Sequence, residues 1–243
     1  MTSKHLLATL CAGLMSLPAL ASPEAELLAR LRQDYPGTQW DSVQASPIAG
    51  LYEVTTGRNL VYADLSGRYV LFGHIWDMPG QRDLTAARKA DLARVADVDA
   101  RLPAEDALVV RRGPSPTLRV AIFSDPACGY CRRLEQTLNQ LPQLEVRVYL
   151  TPLQPGGRPL AEAIWCAPDR GEAWLDQMLR SQAPQSAACD TAALDRNLAL
   201  SRELGIQGTP TLVAPDGRVM AGAASAPEIV AWLRQATAME TAR

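Results

Sequence analysis

Histidine is nearly absent from this sequence: His5 and His74 are the two in 243 residues. A structural zinc site takes four thiolate or imidazole ligands. The chain has one C-x-x-C spacing and no second, so neither a metal nor another cofactor is expected. A dominant charge is missing as well. The 24 Lys and Arg are scattered among 26 Asp and Glu, for a net charge of -2, which leaves no basic stripe for a nucleic acid. A bilayer-spanning run is the third absence. The apolar stretch from Leu6 to Leu17 ends at Pro18, short of the roughly 20 residues a membrane helix needs. With 47% hydrophobic and 21% charged residues, the chain has an ordinary globular composition and enough length for one large or two modest domains.

What is present begins with a leader. Lys4, the apolar stretch after it, Pro18 and the small-residue pattern Ala19-Leu20-Ala21 form a secretory signal, with cleavage expected after Ala21. Cys11, in LATLCAG, would suit a lipoprotein signal, but bulky Leu10 precedes it and the apolar run continues beyond. After cleavage Cys128, Cys131, Cys166 and Cys189 remain. An even count suits the oxidising compartment to which such a signal leads.

The region 22–83 reads as a small domain. SPEAELLARLRQD has a Ser cap, Pro in the first turn, and Leu27, Leu28 and Leu31 on one helix face. After a turn-rich passage come three strand-like runs, 51–56, 59–64 and 68–76, joined by short Gly-containing connections. A helix and a three-stranded meander bury little core alone, so an edge strand pairing with a second copy is expected and the region is a candidate dimerisation module. Residues 84–113 read as a linker: an Ala-, Leu- and Arg-rich helix over 83–102, then RRGPSP as a hinge.

From 114 to 243 the order is strand (117–123), SDPACGYC, helix, strand (145–150), a mostly helical stretch inserted at about 155–205, TPTLVA, the turn PDGR, a short strand, and a last helix opened by the capping box Ser225-Ala226-Pro227-Glu228. This is the order of a thioredoxin-type α/β domain with a helical insertion.

The chemistry sits in CGYC. A cysteine between a buried strand and the first turn of a helix lies among unpaired N–H groups and the positive end of the helix dipole, both of which favour thiolate. Cys128 holds that position and is the expected nucleophile. Cys131, one turn deeper on the same face, is close enough to attack the Cys128 sulfur and is the expected resolving thiol. A purely structural crosslink between them is disfavoured, because closing so short a gap removes little chain entropy. Cys166 and Cys189 lie in the helical insertion, and joining them closes a loop worth about 3 kcal/mol in the chain-entropy model. They are expected to form a structural disulfide. Late in the domain, GIQGTPTLV places Thr209-Pro210 where such folds carry a cis proline beside the active cysteines, leaving backbone free for an extended peptide.

Together FSDPACGYC, AIWC, the later CD and LGIQGTP resemble the periplasmic thiol:disulfide interchange proteins of the DsbC and DsbG type. IAGLYEV, the hairpin strands and the linker helix extend the resemblance over nearly the whole chain after Ala21. The resemblance implies a thioredoxin-like domain with a helical insertion, preceded by a small α+β, cystatin-like dimerisation domain and a linker helix. It further implies a V-shaped homodimer with an uncharged cleft, misfolded or mis-oxidised secreted proteins as substrates, and active cysteines kept reduced by a DsbD-type membrane reductase. Cys128 and Cys131 take the catalytic and resolving roles, Thr209 and Pro210 with Gly129 and Tyr130 the substrate-binding roles, and Cys166 and Cys189 the structural one. Gly129, rather than a proline between the thiols, favours the DsbC side. The implied activity is disulfide isomerisation and reduction; its rivals are a disulfide-donating oxidase and a holdase with secondary thiol chemistry.

Overall fold

The computed structural model describes residues 22–240 apart from residues 58, 186 and 187; the leader expected over 1–21, with Cys11 and the cleavage point, lies outside the described residues. The chain divides into two compact units, Met1–Gly73 and His74–Arg243.

In the first unit α1 (Pro23–Asp34) starts where expected. The Ser22 hydroxyl accepts the Ala25 N–H at 3.3 Å, and Pro23 occupies a position whose N–H would have no partner. Leu27 and Leu31, one turn apart, pack with Val43, Val54, Val61 and Ala63 of the sheet. That sheet runs β1 (Ser42–Ala45), β2 (Leu51–Thr56), β3 (Asn59–Asp64) and β4 (Val70–Leu71), each strand antiparallel to the next. Strand β1 falls in the passage read as turns; only Val43 of its four residues is buried, so its alternation is too brief to register. The run expected as one strand over 68–76 pairs with β3 at two positions only, Tyr62↔Leu71 and Ala63↔Val70. On this edge Tyr69, Val70, Leu71 and Phe72 are exposed, Phe72 at 82%.

The second unit is built on a five-stranded sheet. It contains β7 (Leu108–Arg111), β8 (Leu118–Ser124), β9 (Leu144–Leu150), β10 (Thr211–Val213) and β11 (Val219–Ala221) in the order β11-β10-β8-β9-β7. Strands β8 and β9 are parallel and the other pairs antiparallel. The two short strands before them, β5 (Trp76–Asp77) and β6 (Arg82–Asp83), form a separate hairpin. A parallel pair needs a crossover, and α4 (Gly129–Leu138) supplies it. On the α4 side, Leu134 and Leu138 share a core with Ile164 of α5 (Gly157–Trp165), Trp174 of α6 (Arg170–Leu175) and Ile229 of α8 (Ala226–Glu240). On the other face Phe123 stacks on Tyr149 with ring centroids 5.2 Å apart, packed with Leu204 and Ile206 beyond α7 (Ala192–Glu203). Covering both faces explains the unbroken apolar reading of β8. The strand, helix, strand, helical insertion, hairpin, helix order is the one expected.

The segment expected as linker helix and hinge over 84–113 differs. Helix α2 (Leu84–Leu92) stops well before 102; Asp97 is left-handed at φ 47°, and α3 (Val98–Arg101) is a separate turn. The reason is tertiary. The Val95 N–H donates to the Gly217 carbonyl at 2.8 Å, and a Cβ on Gly217, at φ 84°, would run into the Val95 carbonyl. Nor is 111–116 a free hinge. Leu108–Arg111 is the edge strand β7, the Arg112 N–H donates to Leu144 O at 3.0 Å, and Gly113, at φ 81°, lets the chain pass against the Pro142 carbonyl.

Candidate active site

Strand β8 ends at Ser124, the chain turns through Asp125, Pro126 and Ala127, and Cys128 is the N-cap of α4 in extended conformation, φ -84° and ψ 123°. Asp125 makes the turn. Its buried carboxylate accepts the Ala127 N–H at 2.8 Å and the Leu153 and Gln154 N–H groups at 2.6 Å each. Gly157 sits against it, where a Cβ would crowd Oδ1. One carboxylate thus fixes both the cysteine turn and the segment leading into α5. The Gln177 amide adds a bond to Pro126 O at 3.2 Å from the π-helical turn Asp176–Arg180 that follows α6.

The two thiols are unbonded and unequal. Cys128 keeps 8% of its surface exposed and Cys131 1%. The Cys128 thiol donates to the Thr209 carbonyl at 3.4 Å, across the cis Thr209–Pro210 peptide. The Asp125 N–H donates to the Cys131 sulfur at 3.4 Å. Burial pushes the Cys131 thiol up to about 11, against the hydrogen bond from the Asp125 N–H, which pulls it down. Between the thiols Gly129 faces open space, and Tyr130 is 63% exposed with the Arg133 guanidinium 5.4 Å from its ring centroid. Cys128 and the proline loop therefore meet, with Tyr130 exposed two residues further on. Cys166 and Cys189 lie apart from it and are bonded, with Cα atoms 5.5 Å apart. Among the described residues no group of three or more His, Cys, Asp or Glu could hold a metal ion.

A buried charge pair under the active-site helix was not anticipated. Glu135, one turn past Cys131 on α4, is fully buried, ion-paired with Arg112, and accepts the Trp174 indole N–H at 3.0 Å. Burial raises the Glu135 carboxyl against Arg112, and burial lowers the Arg112 guanidinium against Glu135. Its sequence signal was a carboxylate next to Leu134 at i+4 from Cys131, on the face that must be buried. Ser124 and the backbone of Leu153 and Gln154 were likewise not singled out.

This geometry has counterparts. Residues 18–86 match the family described as disulfide bond isomerase protein N-terminal domain, and residues 105–237 match the thioredoxin-like domain. The chain is 35% identical over 213 residues to a probable thiol:disulfide interchange protein DsbC of Bordetella pertussis, covering 87% of this chain and 75% of that protein. The chain belongs to the DsbC family. The DsbC protein of Salmonella typhimurium is 29% identical over 240 residues and 96% of both chains. A disulfide interchange protein from Neisseria gonorrhoeae has a crystal structure that superposes with TM-score 0.53 at 33% identity, covering 55% of this chain and 97% of that one. As a DsbC-family member the protein is a thiol:disulfide oxidoreductase with a thioredoxin-like domain behind a DsbC-type N-terminal domain.

Proposed function

We propose that the protein is a periplasmic disulfide isomerase and reductase acting on non-native disulfides of secreted proteins. The observation that carries this reading is a pair of unequal, unbonded thiols: Cys128 keeps 8% of its surface exposed and meets the Thr209 carbonyl, and Cys131, one helical turn on, keeps 1%. Cys128 attacks a substrate disulfide and forms a mixed disulfide, expelling one substrate thiolate. A second substrate thiol then displaces Cys128 with a new pairing, or Cys131 displaces the substrate, which leaves reduced. Thr209 and Pro210, with Gly129 and Tyr130, hold the substrate backbone as an extended segment. A DsbD-type membrane reductase returns the active pair to dithiol. The first unit joins two copies, a role supported by the family of residues 18–86 and by the apolar edge at 69–72. The leader directs export and is removed after Ala21.

Recovery of scrambled ribonuclease by the full chain tests this, with sedimentation run alongside. The expected result is isomerisation by a dimer, abolished by Cys128→Ser. Isomerisation that survives Cys128→Ser sinks the assignment. A monomer isolated with Cys128 and Cys131 bonded would favour an oxidase. Suppressed aggregation with no thiol-dependent refolding would favour a holdase.

A further inference from the structure

The start of the active-site helix carries positive charge without a counter-charge. The first turn of α4 holds no acidic residue, and Arg132 and Arg133 follow Cys131 directly. The Arg132 N–H donates to the Cys128 carbonyl at 3.1 Å, a spacing of one turn that puts the two residues on one side of the helix. Side chains on a helix lean toward its N-terminal end, here the end that holds the thiol. Arg133 shows that lean, with its guanidinium 5.4 Å from the centroid of the Tyr130 ring three residues earlier. Arg132 is held by the Ser181 hydroxyl at 2.9 Å, just past the π-helical turn whose Gln177 amide reaches the Pro126 carbonyl. Ring and hydroxyl orient the two guanidinium groups without neutralising them.

The acids of the neighbouring elements are engaged elsewhere. Asp125 accepts three amides, Glu135 is held by Arg112 and Trp174, and Glu172 and Asp176 pair with Arg180. Among the described residues neither Arg132 nor Arg133 has a carboxylate partner. A chain of net charge -2 therefore places two free cations within about one and a half turns of Cys128. We propose that Arg132 and Arg133 are specificity-determining residues that favour substrates with an acidic side chain beside the attacked cysteine. This rests on Cys128 being the nucleophile of the proposed function. A guanidinium at a water-exposed rim attracts a carboxylate and repels an ammonium weakly, and salt screens both effects. The result is a bias in rate among substrates, not a requirement for one of them.

The test uses the reduced full chain, with Cys166–Cys189 intact, and three cyclic peptides that each close one disulfide and differ only in the residue beside one cysteine: Glu, Gln or Lys. Each second-order rate of peptide reduction is divided by the rate with dithiothreitol, which removes the peptide's own reactivity. The expected order is Glu, Gln, Lys, with the Glu peptide about tenfold faster than the Lys peptide at low salt and the two near equal at about 0.5 M salt. The double change Arg132→Gln and Arg133→Gln, shown folded by its thermal transition, should bring that ratio near one at low salt, whereas Arg132→Lys with Arg133→Lys should keep it. Lost charge that merely weakens the Cys128 thiolate slows all three peptides alike, so the ratio reports recognition. A ratio near one in the unaltered chain at low salt, or a ratio unchanged by the two Gln substitutions, overturns the proposal. Failure of the unaltered chain to reduce any of the peptides removes instead the Cys128 chemistry beneath it.

Discussion

Cys128 with Cys131 and Cys166 with Cys189 are made of the same residue, yet one pair lies unbonded and buried and the other is joined. The joined pair closes a long segment between the end of α5 and the start of α7, and its surroundings hold it shut. The Trp165 indole donates to the Asp190 carbonyl at 3.1 Å, and Arg170 lies 3.8 Å over the Trp165 ring. Crosslinking a long loop restricts the unfolded chain strongly. The unbonded pair spans a single helical turn, where a bond restricts almost nothing, so that bond can form and break with little consequence for folding. What holds the unbonded pair in place is non-covalent: the Asp125 turn, the Thr209 carbonyl, and the Arg112–Glu135 pair beneath α4. Spacing along the chain thus separates a cysteine pair that stores stability from one that exchanges it.

The contrast can be broken at either end. Removing the clamp under α4 is expected to have the largest effect. Glu135→Ala leaves Arg112 buried without its counter-charge, and denaturant unfolding should show a loss of about 3–5 kcal/mol, whereas replacing both partners with apolar residues of similar size should recover most of it. Next comes the bonded pair. The double change Cys166→Ala and Cys189→Ala should lower stability by about 3 kcal/mol, while Cys128 in the remaining folded molecules reacts at an unaltered rate; equal stability would mean that the contacts of Trp165 already order the loop. The smallest effect sharpens the difference between Cys128 and Cys131. Only thiolate attacks, and the Cys131 thiol is raised to about 11, so the rate of intramolecular resolution should rise about tenfold per pH unit from pH 6 to 8. A plateau below pH 8 in single-turnover release would show that Cys131 ionises far more easily than its burial implies.

Much of the catalytic unit was legible because its signals are local. The β8 run, the C-x-x-C at a strand-to-helix junction, the Thr-Pro before β10 and the Ser225 start of the last helix each depend on neighbours within a few residues, and each element formed within a residue or two of its expected place. The segment 84–113 was misread because its helical composition is overridden from a distance: Val95 bonds to Gly217, and Arg112 to Leu144 and Glu135. Strand β1 was missed because only Val43 among its residues turns inward. Ser124 and Glu135 were invisible for a related reason. A serine at a strand end and a glutamate on a helix are unremarkable until the fold seals them from water.

The sequence by itself determined the chemistry: two thiols at C-x-x-C spacing, a second pair too far apart for exchange between neighbours, and a Thr-Pro to meet them, all consequences of residue type and short-range geometry. Only the tertiary structure decided how deeply each thiol is buried and which groups surround it. Those properties come from chain segments some 80 residues apart meeting at one sulfur, as Thr209 meets Cys128, and burial, which fixes their hydrogen bonds and charge, does not exist until the chain has folded.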